Sequence, residues 1–243
     1  MGYRVFLAGA SGAIGKRLLP LLLDAGHQVA GTTRSVAKAE ELRAFGAQPV
    51  LLDVFDARAL SRAVMAARAE VVIHQLTDLP KGLDPGRMAD GSIRNARIRR
   101  EGTENLVRAA IAAGASRLVA QSIAWVYASG PQPHAENDPL DVGAEGSRGV
   151  SVGGVVALEN RTLHSPPLAG VVLRYGRLYG PGTGVDARPD PPSLHVDAAA
   201  FAALLAIDRG APGIYNVAEP NRYVMTEKAR AQLGWHADFR SPA

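Results

Sequence analysis

Short apolar runs alternate along this chain with longer stretches whose apolar residues recur every three or four positions. The runs lie at residues 4–8, 28–33, 48–52, 70–75, 117–121, 170–174 and 213–217, and each reads as a buried strand. The stretches at 13–25, 36–45, 57–68, 91–113, 152–163, 196–208 and 225–233 read as helices. Apolar strands joined by helical connections predict an α/β fold with a parallel sheet covered on both faces. Two loops rich in Pro and Gly, 79–91 and 130–149, interrupt the alternation, and the second has the composition of a lid.

The first run, Val5 to Ala8, enters Gly9-Ala10-Ser11-Gly12-Ala13-Ile14-Gly15, and Leu18, Leu19, Leu21 and Leu22 follow as the packed face of a helix. A strand that turns at once into a helix needs a residue free of Cβ strain, here Gly9. A pyrophosphate reaches the helix N-terminus only where no side chain blocks it, here Gly12, and the helix packs close to the strand only on a small residue, here Gly15. The spacing G-x-x-G-x-x-G at a strand-to-helix turn reads as a nucleotide-binding βαβ unit; a merely structural turn is the alternative.

The end of the second run selects the dinucleotide. An NAD site places a carboxylate there for the ribose 2′-hydroxyl. This chain has Thr33, Arg34 and Ser35, which suit a 2′-phosphate, so NADP(H) is expected over NAD(H); a solvated loop arginine is the alternative. Asp53 and Val54 close the third run, where a carboxylate accepts from an adenine amino group or caps the next turn.

Composition narrows the class. The 243 residues are 47% apolar, enough for one domain with an ample core, and there is no cysteine for disulfides or thiolate chemistry. The chain starts at its first strand and has no apolar run long enough for a bilayer, so it reads as cytoplasmic, without leader or membrane segment. The formal charge of +4 comes from scattered arginines; the one dense group, Arg94, Arg97, Arg99 and Arg100, reads as a solvated helix face or an anionic-substrate rim ahead of a nucleic-acid surface. No spacing suggests a metal site, and Gly-x-Ser-x-Gly is missing.

Further motifs occur in order: Glu101-Gly102-Thr103-Glu104-Asn105, Leu118-Val119-Ala120-Gln121-Ser122, Leu173-Arg174-Tyr175-Gly176-Arg177-Leu178-Tyr179-Gly180, His195-Val196-Asp197 and Gly213-Ile214-Tyr215-Asn216-Val217. With the glycine turn, they make the chain resemble the extended, here atypical, short-chain dehydrogenase/reductases, in the NAD(P)-dependent epimerase/dehydratase branch. The resemblance implies a Rossmann-type doubly wound sheet, with residues 1–175 as the NADP-binding domain. Residues 176–243 would form a shortened substrate-binding lobe interleaved with the core. It also implies that Gly9, Ser11, Gly12, Ala13, Ile14 and Gly15 surround the pyrophosphate, and that Asp53 and Val54 frame the adenine. Gln75, Leu76 and Thr77 would line the ribose and nicotinamide side, and Tyr175, Gly176 and Leu178 would approach the carboxamide.

The chain departs from this pattern where the chemistry lies. The branch uses a Tyr as acid and a Lys four residues later, yet no Tyr-x-x-x-Lys occurs anywhere in the sequence. Counted from Glu159, Ser151 stands at the Tyr position and Val155 at the Lys position; the usual helix Asn is Arg99. The catalytic hydroxyl position falls on Ile123, with Ser122 adjacent. Tyr127 is then the first candidate acid and Ser122 the candidate for orienting a substrate oxygen, each with packing as its alternative. His134, Tyr175 and Tyr179 are further candidates, whereas His74 reads as a core histidine. Only twelve residues separate Gly182 from His195, so the crevice is open, completed by a second subunit of a homodimer, or built for a different ligand. Three functions follow. One is an NADP(H)-dependent oxidoreductase or epimerase/dehydratase-like enzyme on a small carbonyl or hydroxyl substrate. The others are a non-catalytic NADP(H) sensor and a redox-neutral isomerase, cyclase or dehydratase.

Overall fold

The computed structural model describes residues 2–241. Seven parallel strands form one sheet in the order β3-β2-β1-β4-β5-β6-β9. They are β1 (Arg4–Ala8), β2 (Gln28–Thr33), β3 (Gln48–Leu51), β4 (Val71–His74), β5 (Arg117–Ile123), β6 (Ala169–Tyr175) and β9 (Gly213–Val217). Two further three-residue strands, β7 (Arg177–Tyr179) and β8 (Ser193–His195), pair with each other outside the main sheet. The order reverses between β1 and β4, and a doubly wound sheet opens its ligand crevice at that point.

Helices cover both faces. On one, α1 (Ala13–Asp24) packs on α7 (Val196–Leu205), burying Leu18, Leu19 and Leu22 with Val5, Leu7 and Val171. On the other, α3 (Ala57–Ala66) and α5 (Thr103–Ala112) enclose Phe6, Leu60, Val72, Leu106 and Leu118. Local chemistry sets the helix starts. Ser35 caps α2 (Val36–Ala44) by accepting from the Lys38 amide, and Asp56 caps α3 by accepting from the Ala59 amide. α7 and β9, which lie beyond residue 175, pack into the same core as the strands and helices before it.

Three local features depart from the sequence pattern. The predicted helix 91–113 is α4 (Met88–Arg97), one π-helical turn (Ile98–Gly102) and then α5. The helix expected from 152 begins earlier, as α6 (Gly146–Leu163), where Arg148 reaches Asp141 and the carbonyls of Trp125 and Tyr127. The loop 130–149 is a strap rather than the lid its composition suggests. His134 exchanges main-chain hydrogen bonds with Tyr223 and Met225, and the Glu136 carboxylate accepts from the Asn216 amide in β9. Among the described residues, no helix is long and apolar enough to cross a membrane.

Candidate functional site

The glycine turn performs three separate jobs. Gly9 sits at φ +92°, in the left-handed region, and a Cβ there would come within 2.8 Å of the Gln75 carbonyl. Gly15 lets α1 lie on the turn, since its Cβ would strike the Gly9 and Ala10 carbonyls. Gly12 is different: the nearest atom to a Cβ is the Gly9 oxygen at 3.3 Å, so the space it opens faces outward. Gly12 is also the N-cap of α1 and offers no side-chain cap, and the first turn holds no acid. The first amides of α1, from Ala13, Ile14 and Gly15, are therefore open to an anion.

A cleft of about 350 Å³ runs from this turn past the ends of β2, β3 and β4. Gly9, Ser11, Gly12, Thr33, Arg34 and Ser35 line one part of it, and Asp53, Val54, Gln75, Leu76 and Thr77 another. Thr33 ties the glycine turn to the exit of β2, its hydroxyl oxygen lying 3.1 Å from Ser11 Oγ and accepting from the Ser35 amide. Arg34 is exposed at the rim, and Lys38, one helical turn on, joins it. Asp53 caps its own turn by accepting from the Phe55 amide at 3.0 Å. Phe55 lines the cleft too, with the Arg97 guanidinium 4.0 Å above its ring.

Farther along, Gln75 lines the cleft, 6% exposed; its two amide atoms are sealed from solvent, and neither has a hydrogen-bond partner among the described residues. A buried amide left orphaned beside a glycine turn suits a polar ligand. An uncapped cradle, an outward glycine and two rim cations complete a set of donors that fits the phosphates of a dinucleotide. Tyr175, Gly176 and Leu178 lie outside this lining. The Tyr175 phenol is buried in the core and donates to the Ala199 carbonyl; burial raises its pKa far above the ordinary value. Gly176 packs on Ser193, and Leu178 lies in β7, packed against the core.

The two candidate hydroxyls are committed elsewhere. Glu159 and Arg174 form a buried pair, Nε to Oε1 at 2.9 Å and Nη2 to Oε2 at 2.6 Å. Ser122 Oγ donates to the same carboxylate at 2.8 Å. Tyr127 donates to Asn216 Oδ1 at 2.6 Å and accepts from Arg174 Nη1 at 2.8 Å, while its ring stacks on His134. Burial holds the Tyr127 phenol above its ordinary pKa. Ser122 and Tyr127 are thus brought together, by one ion pair, away from the cleft's lining. His134 is engaged by Asp138, and Tyr179 by Glu219, which together with Arg188 and Trp235 lines a separate hollow of about 520 Å³.

The resemblance puts the missing pair at Ser151 and Val155. Val155 is a fully buried packing residue. Ser151 accepts from Arg99 Nη1, at 3.2 Å on Oγ and 3.4 Å on its carbonyl. Arg99 comes from the π-helical turn and is 7% exposed, and burial pushes its pKa down to about 10. Close by, His74 Nδ1 accepts from the Leu76 amide, so Nε2 carries the proton toward Thr103 Oγ1 at 3.1 Å. Burial, helped by the Arg99 charge, pushes the His74 pKa down to about 4, so this is a neutral core histidine.

Sequence reasoning missed Lys38, Phe55 and the inward turn of Arg99. The spacing of Lys38 from Arg34, one helical turn, carried a signal for the first. The π-helical turn that directs Arg99 leaves no mark in an apolar pattern.

A parallel sheet with an open glycine turn at its switch point defines a dinucleotide-binding α/β protein. A family model described as NAD(P)H-binding matches residues 9–145, more than half of the chain, and the chain belongs to that family. It is 41% identical over 236 residues to a 3-diazoavenalumate denitrifying reductase from a Streptomyces species, covering 89% of this chain and 76% of the relative. Its fold matches UDP-glucose 4-epimerase of Thermotoga maritima with a TM-score of 0.78 at 17% identity, covering 97% and 94% of the two chains. It also matches a dTDP-glucose 4,6-dehydratase of Streptomyces venezuelae, solved with NAD bound, with a TM-score of 0.76 at 18% identity, covering 97% and 92%.

Proposed function

We propose that this protein is an NADPH-dependent reductase whose acceptor needs no proton from the protein, a diazonium-bearing small molecule being the class that fits. The observation carrying this reading is the loss of the acid pair: Ser151 and Val155 stand in its place, and the Ser122 and Tyr127 hydroxyls are spent on Glu159, Asn216 and Arg174. A carbonyl acceptor ends as an alkoxide that a general acid must protonate. A bound reduced nicotinamide supplies a hydride, and with a diazonium the balance closes without a proton: a C–H bond forms, the C–N bond breaks, and dinitrogen leaves with that bond's electron pair. The 41% identical relative, named as a denitrifying reductase of a diazo compound, supports the same class.

The chain's own residues hold and orient the cofactor. The open amides at the start of α1 take the pyrophosphate, and Arg34, Ser35 and Lys38 take a 2′-phosphate that a carboxylate would repel. Asp53, Val54 and Phe55 border the adenine end, and Gln75, Leu76 and Thr77 the nicotinamide side.

The test compares acceptors with purified protein and NADPH. Benzenediazonium should consume NADPH and release dinitrogen faster than in controls without protein, while simple ketones are left unreduced. Ketone reduction that is lost with Tyr127→Phe would instead make Tyr127 a general acid. NADPH binding without consumption of any acceptor would favour a sensor.

A further inference from the structure

We infer that Arg99, which follows the cleft-lining Ile98, is an anion receptor, so that the acceptor carries a carboxylate seated on its guanidinium. The location rests on the hydride-transfer reading above; the anion recognition rests on Arg99 itself. Arg99 as a whole residue is 7% exposed, yet no carboxylate lies within ion-pair distance of its guanidinium among the described residues. The nearby acid, Glu159, is taken up on both oxygens by Arg174 and on one by Ser122.

A buried cation without a counter-charge is costly to keep. Its only partner among the described residues is Ser151, which meets Nη1. Nε and Nη2 lack partners, but they are not among the sealed, unpartnered atoms, which are both on Gln75. These two donors therefore keep some exposure, and they form the guanidinium edge of the kind that grips a carboxylate.

The surrounding backbone is shaped to hold this side chain inward. One π-helical turn, Ile98–Gly102, carries Arg99. Across from it α6 presents Gly154, where a Cβ would come within 3.1 Å of Ala96 Cβ and 3.4 Å of Arg99 Cδ. Two neighbours in the dense arginine group are spent otherwise, Arg94 on Asp78 and Arg97 on Glu101 and the Phe55 ring, and Arg100 is exposed. A neutral diol would satisfy the donors but leave the charge uncompensated. An anion does both.

The experiment uses full-length protein loaded with NADP⁺ and titrated calorimetrically with cinnamate and with cinnamamide, its neutral isostere. Cinnamate should bind at least about tenfold more tightly, a difference of about 1.4 kcal/mol. Arg99→Met should erase that selectivity, Arg99→Lys should keep part of it, and NADP⁺ affinity should stay unchanged in both. If Arg99→Met does not fold, the acid and amide comparison in the native protein and in Arg99→Lys decides. Equal affinity for acid and amide, or no binding of either at about 10 mM, overturns the inference. So does selectivity that survives in Arg99→Met, or a loss of NADP⁺ affinity in its place. Failure of the hydride reading appears separately, as NADPH left unconsumed with a diazonium.

Discussion

Replacing Tyr127 with phenylalanine separates packing from chemistry at the first candidate for the acid that the sequence lacks. The substitution keeps the ring and its stacking on His134, with centroids 4.8 Å apart and planes 9° from parallel. It removes one bond donated to Asn216 at 2.6 Å and one accepted from Arg174 at 2.8 Å. A neutral bond is worth about 1 kcal/mol and one to a charged group about 1.5–3 kcal/mol. Arg174 Nη1 keeps its second acceptor, the Glu136 carbonyl at 3.0 Å, which limits the damage. The expected cost is thus about 2–4 kcal/mol, which a domain stable by about 5–15 kcal/mol survives. Urea unfolding should show the midpoint falling, while NADPH turnover per folded molecule stays within about threefold. A general acid contributes about 10²–10⁴ in rate. A hundredfold loss of turnover with an unmoved midpoint would refute the reasoning and make Tyr127 catalytic.

Other perturbations read other parts of the molecule. Arg34→Ala should weaken NADPH binding about tenfold and leave NADH binding unchanged, by fluorescence titration; equal losses for both would remove the 2′-phosphate role. Glu159→Gln strands the buried Arg174 charge and should cost about 3 kcal/mol in thermal or urea unfolding; an unchanged midpoint would mean the pair is not structural. His74 has a folded-state pKa of about 4, below the ordinary 6.5, so the unfolded chain takes up its proton first as pH falls. Its contribution is complete above that ordinary value and is lost as the pH drops toward the folded one. The loss from about pH 8 to about pH 5 is about 2 kcal/mol. His74→Gln should flatten that component in unfolding curves; an unaltered pH slope would show that His74 does not carry it.

Elements with a strong local signal are legible in the amino-acid order alone. The glycine turn is one, because each of its residues answers a separate steric demand, and all seven main strands follow from their apolar runs. β7 and β8 escape, since three residues cannot establish a period of two. The cleft's rim is readable for the same local reason: Arg34 and Ser35 follow directly on a strand end. The fate of the candidate hydroxyls is not. Ser122, Tyr127, Glu159 and Arg174 meet only through the packing of β5, α6 and β6, and nothing in their spacing hints that the first two are drawn to an ion pair. Tyr175 stands at a plausible cofactor position, but its place in β6 sends the phenol to Ala199. Arg99 belongs to a visible arginine cluster; that it turns inward depends on a helix irregularity and on Gly154 facing it.

The origin of the new C–H hydrogen is the sharpest measurement. Benzenediazonium reduced with NADPH deuterated at the transferable nicotinamide position should give benzene bearing that deuterium. The same reaction with ordinary NADPH in heavy water should give benzene with none. Deuterium arriving from the solvent, or product formed equally without NADPH, would contradict direct hydride delivery at this site.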